Sequence, residues 1–130
     1  MDIQFNSLKQ EKDAIGIIFC DQNCRLIGYG KKLDQLSKKH LSNTIKSDES
    51  FKTRKSKNFD YIMVHSPQNL GFSKIYIFKL KNIKNYSNRD FQVLGGNLLS
   101  LIKFYKEHNV IIYPDGVNAA KISFINSTSE

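Results

Sequence analysis

At 130 residues the chain is the size of one domain, and a chain of this length buries roughly two-thirds of its unfolded surface, enough for a core without disulfides or a structural metal. Its 40% hydrophobic and 25% charged residues exclude wholesale disorder. The net charge of +8 permits an anionic partner without requiring one: Lys, Asn and Ile are abundant together, as in AT-rich genes, so the charge reflects either that drift or a binding surface.

Ile3, Phe5 and Ser7 alternate with Asp2, Gln4 and Asn6, the pattern of a half-buried strand. This N-terminus has neither the basic nor the apolar region of a signal peptide. The run from Asp13 to Cys20 is nearly continuous, apolar and rich in β-branched residues, and is predicted to be a strand buried on both faces. Its apolar part, Ala14 to Cys20, is the longest such stretch and falls far short of the roughly 20 residues that span a bilayer. A soluble, cytoplasmic protein with no membrane partner is expected. Asp21-Gln22-Asn23 marks a turn, and Arg25-Leu26-Ile27 a brief extended piece. Cys20 and Cys24 have neither CxxC spacing nor a neighbouring His, so they are expected as reduced thiols rather than a zinc site or a disulfide framework.

From Lys31 the period changes. Leu33, Leu36, His40, Leu41 and Ile45 recur at helical spacing, with Lys31, Lys32, Lys38, Lys39 and Lys46 on the other faces, predicting one amphipathic helix with a solvated basic side. Residues 47–58 are polar and charged and read as a loop or a frayed hairpin. Asp60 to Pro67 is a second buried-strand candidate, Asn69-Leu70-Gly71 a turn, and Ser73 to Leu80 a strand. Ser87-Asn88-Arg89-Asp90 supplies N-cap chemistry for a helix with Phe91, Leu94, Leu98, Leu101, Ile102 and Tyr105 on one side. Asn109 to Tyr113 reads as a strand, Pro114-Asp115-Gly116 as a turn, and Ala120 to Ile125 as a last strand. Strands interleaved with helices predict one α/β domain over residues 1–126, a mixed sheet with helices packed on its faces, followed by a loose tail at 127–130.

Little in this pattern carries chemistry. His40, His65 and His108 fall on a helix, a strand end and a helix C-terminus, with no HExxH and no His/Cys cluster. His65 and Ser66 are adjacent, and neighbours on a strand point to opposite faces, which argues against a dyad. Gly28-Tyr29-Gly30-Lys31-Lys32 precedes a helix but matches no phosphate-loop motif, so a plain turn is expected. Gly95-Gly96 lies inside a helix, where glycine costs about 1 kcal/mol against alanine; close approach of that helix to the sheet is the expected compensation. Lys52, Arg54, Lys55 and Lys57, flanked by Phe51, Phe59 and Tyr61, form the densest basic cluster. They are candidate nucleic-acid contacts, set against the blander alternative of a solvated loop.

Several segments in order carry a family resemblance: the strand Ala14 to Cys20, Leu33-Asp34-Gln35-Leu36-Ser37 opening a helix, Phe59 to Pro67, Phe72 to Phe78, Asn88 to Gly96, and the strand Val110 to Tyr113. Together they resemble the N-terminal domain of the leucyl aminopeptidase (cytosol aminopeptidase) family over nearly the whole chain. Lys79-Leu80-Lys81 stands where the family usually has glycines, and the second long helix is richer in leucine than in the family's alanine. The resemblance implies a macro-domain-like fold and a parent hydrolase, a homo-hexamer, that removes N-terminal amino acids from peptides with two divalent metals, zinc or manganese. It places the metal ligands and the catalytic lysine and arginine on a C-terminal domain, whose Asn-Thr-Asp-Ala-Glu-Gly-Arg-like run does not occur in these 130 residues. No catalytic, cofactor-binding or metal-binding residue is therefore assigned to this chain, and its principal partner is expected to be that catalytic domain. Two alternatives stand beside this one: a macro-type module that binds ADP-ribose, and a DNA-binding domain using the basic loop 52–57.

Overall fold

A computed structural model describes residues 2–5, 14–53, 60–67, 69–80, 88–105 and 109–113, with the backbone alone described at 2–5 and 88–91. The element order is β1 (Asp2–Phe5), β2 (Ile15–Cys20), α1 (Tyr29–Leu36), α2 (His40–Ser47), α3 (Glu49–Thr53), β3 (Tyr61–His65), β4 (Lys74–Lys79), α4 (Asn88–Phe104) and β5 (Asn109–Ile112). The described strands form one five-stranded sheet in the order β1-β5-β2-β4-β3. β1, β5, β2 and β4 run parallel, and β3 pairs with β4 antiparallel at the edge. The fold is α/β, a mixed sheet with helices on both faces. The strand and turn read at residues 114–125, and the tail beyond, lie outside the described residues.

Strand periodicity assigns the two cores. Ile15, Ile17 and Phe19 of β2, Tyr76 and Phe78 of β4, and Val110 and Ile112 of β5 turn to one side, where they pack with Leu94, Leu98 and Ile102 of α4. The alternate residues, Ile18, Cys20, Ile75, Ile77 and Ile111, face the other side and pack with Leu33, Leu41, Ile45 and Phe51 of α1 to α3. Central parallel strands covered by helices on both faces need apolar residues at every position, and all six residues of β2 are buried.

The structure corrects several expectations. Residues 31–46 do not form one helix: α1 stops at Leu36 and α2 starts at His40. The break is a Schellman motif, in which Lys39 N–H donates to Asp34 O at 2.8 Å and Lys38 N–H to Gln35 O at 3.1 Å. Ser37 Oγ adds a bond to Asp34 O at 2.9 Å. This motif normally places glycine in its left-handed position; here Lys38 occupies it with φ of 56°, and Lys39 after it is left-handed too at 64°, so the stop carries no glycine signal.

Residues 47–58 are not all loop, because α3 forms within them. Asp48 caps it, accepting the Phe51 N–H at 2.9 Å. β3 is not a buried strand; as the edge strand it leaves Tyr61, Met63 and His65 exposed and buries Val64. Finally, close packing does not account for both helix glycines. Gly95 is buried, but Gly96 is exposed and a Cβ there would meet nothing within 4 Å. Gly96→Ala is therefore expected to raise stability by about 1 kcal/mol, read as a higher urea midpoint with an unchanged slope; a lower midpoint would mean that the helix needs glycine there.

Candidate functional site

The described residues gather charge at the carboxyl end of β2, the side of an α/β sheet where ligand crevices form. After Cys20 the chain reverses. The Asp21 carboxylate accepts the backbone N–H of Asn23 at 2.8 Å and of Arg25 at 2.9 Å, and Cys24 N–H donates to Asp21 O at 2.9 Å. Leu26 then bridges back to Cys20. This tight turn presents Arg25 across from α1 and α2. Between them lies an open cleft of about 500 Å³, whose charged walls are Arg25, Lys31, Lys39, Lys46, Lys52 and Asp34.

Asp34 is already engaged. Its carboxylate accepts the Ser42 N–H at 2.9 Å and the Ser42 hydroxyl. The α2 N-cap position is Lys39, which makes no side-chain cap bond, so a carboxylate from the preceding helix satisfies an amide that a cap residue would normally take. Asp34→Ala is expected to cost about 0.5–2 kcal/mol, measured by chemical denaturation; no loss would show that water satisfies the Ser42 amide as well. Lys52 is engaged too, with Glu49 at 2.7 Å. Arg25, Lys31, Lys39 and Lys46 are exposed, and none has a carboxylate partner among the described residues.

The basic cluster read from the sequence is only partly visible. Lys52 sits on α3, while Arg54, Lys55, Lys57 and the flanking Phe59 lie outside the described residues. Phe51 is fully buried and offers no face to a base. Tyr61 is exposed on β3, with its ring 5.1 Å from Phe78 and 5.5 Å from Tyr76. His40 opens α2 and His65 ends β3, and His108 lies outside the described residues. Gly28 is the α1 N-cap with φ of 60°, a conformation that favours glycine. The plain turn expected over Gly28 to Lys32 is corrected, since the helix begins at Tyr29; Gly30 is buried in its first turn, where a Cβ would lie in ordinary contact 3.4 Å from Ile18 Cδ1.

Neither cysteine is in a disulfide. Burial pushes the Cys20 thiol far above its usual range, with Cys24 and Asp21 adding to the rise and the Lys79 ammonium opposing it. A thiol held neutral in this way is a poor nucleophile. Lys79 itself is buried at the end of β4. Its ammonium donates to the Phe51 carbonyl and, at 3.4 Å, to the Lys52 carbonyl, and lies 4.9 Å from the Phe51 ring centroid. A cation thus sits against the last carbonyls of α3, where the helix dipole favours it. On the other face the Tyr76 and Tyr105 hydroxyls bond to each other, and Lys74 Nζ donates to Tyr105 at 3.3 Å. Burial, with Tyr105 beside it, raises the Tyr76 phenol well above its ordinary range.

Among the described residues no three His, Cys, Asp or Glu side chains come together as a metal-holding group, and no helix is long and apolar enough to cross a membrane. The sequence places Lys31, Lys39 and Lys46 on a basic helix side and Lys52 in the basic cluster, but their meeting with Arg25 in one cleft is not legible there, because they arrive from separate elements. The one local signal was the seven-residue spacing of Lys39 and Lys46, two helical turns on one face. No protein-family model matches the chain, and no curated protein matches it.

Proposed function

We propose that the chain is the non-catalytic N-terminal accessory domain of a cytoplasmic metalloaminopeptidase of the leucyl aminopeptidase type. The observation that carries this reading is the sheet order β1-β5-β2-β4-β3 with a single antiparallel edge. Along the chain, the segments that resemble the family correspond to central β2, the helices α1 to α3, the β3–β4 hairpin, α4 and β5. The polar groups at the carboxyl end of the sheet add support. Asp34 caps a helix and Lys79 holds the end of α3, so both are spent on holding the fold. In this role the domain docks on a catalytic domain that carries both divalent metals, and the whole protein forms a hexamer.

The test is the native protein. An antibody raised against this chain should recover from source cells a polypeptide well above 15.0 kDa, with metal-dependent release of leucine from a leucyl anilide in the precipitate. The isolated chain should release none. Recovery of a product at the chain's own mass, or metal-dependent hydrolysis by the purified chain, would overturn the assignment.

A further inference from the structure

We propose that the cleft between the β2–α1 turn and α2 binds a compact phosphate-bearing anion. Among the described residues five cations, Arg25, Lys31, Lys39, Lys46 and Lys52, line it against one carboxylate, that of Asp34. That carboxylate is bonded to Ser42, and Lys52 is bonded to Glu49, which leaves four cations facing open space without an acidic partner among the described residues. Like charges held together by the fold repel and attract counter-ions. A singly charged ligand meets one of them, whereas a di- or triphosphate meets several at once, and the Arg25 guanidinium suits paired phosphate oxygens.

The volume of about 500 Å³ falls within the usual range for small-molecule sites. Among the described residues no aromatic side chain lines the cleft, and none of them offers a platform for stacking a base. The recognised chemistry is the phosphate itself, supplied by a small metabolite or by a nucleic-acid backbone. The proposal rests on the cleft's own cations and stands whether or not the accessory-domain assignment holds.

The probe is tripolyphosphate. At low ionic strength, about 20 mM salt, it should raise the melting temperature by several degrees, and the rise should vanish near about 0.5 M salt. The Arg25→Gln, Lys31→Gln, Lys46→Gln triple variant changes only exposed side chains, and its affinity should fall at least about tenfold. Lys103→Gln, an exposed position on α4, should bind as the unchanged protein does. Amide shifts in the unchanged protein should concentrate at residues 23–26, 31–35 and 39–46. If a short oligothymidylate competes with tripolyphosphate, the phosphate comes from a nucleic-acid backbone; if it does not, the ligand is a small molecule. No stabilisation of the unchanged protein, equal binding by the triple variant, or shifts concentrated on α4 would overturn the proposal.

Discussion

Phe51→Ala is expected to lower the unfolding free energy by about 3–5 kcal/mol, a large share of the 5–15 kcal/mol typical of a domain. Phe51 is fully buried and is the only buried residue of α3, which has five residues. A helix that short does not persist in water by propensity alone. Its apolar hold on the sheet is this one ring, packed in the core that contains Ile18, Ile75 and Ile77. Deleting the ring removes apolar contact and leaves a cavity the surroundings only partly fill. Urea unfolding would measure the loss, and native-state amide exchange should show residues 49–53 opening ahead of the sheet. A loss below about 1 kcal/mol would mean that α3 is not anchored in this way.

Lys79→Met is the second large effect, with an expected cost of about 1–3 kcal/mol. Methionine keeps most of the volume and removes the ammonium. The Phe51 and Lys52 carbonyls then lose their donor, and a buried acceptor without a partner carries a desolvation cost. Removing a buried charge can also stabilise, because the charge was costly to desolvate. Here the bonded partners are helix-end carbonyls that stay behind, so the loss should win. An unchanged or higher urea midpoint for Lys79→Met would refute that balance. The two changes should not add. Phe51 and Lys79 share both a cation–ring contact and the end of α3, and a double-mutant cycle should return a coupling of about 0.5–3 kcal/mol.

These positions show how far local pattern reaches. The buried strands were legible because residues such as Ile15, Ile17, Ile75 and Ile77 are apolar whatever they touch, and a run of them has few places to go except a sheet covered on both sides. Asp60 to Pro67 looked equally buried, yet its strand took the edge. Apolar content does not specify which strand is paired on one side only. The end of α1 was hidden for a different reason: lysines hold the left-handed positions that glycine would have announced. The cap of α3 was there to be found, since Asp48 stands three residues ahead of the Phe51 amide it accepts.

By itself the sequence determined the α/β class, the central strands and most core-facing helix positions, though not Leu36, which is exposed, because hydrophobicity and its period belong to each residue and its near neighbours. Only the tertiary structure decided the edge strand, the seating of Lys79 beneath α3 and the gathering of Arg25 with Lys31, Lys39 and Lys46 into one cleft. Phe51 and Lys79 stand 28 positions apart. Which charge meets which carbonyl, and which cations share a space, depends on how distant segments pack, and side-chain periodicity along one segment carries no information about that.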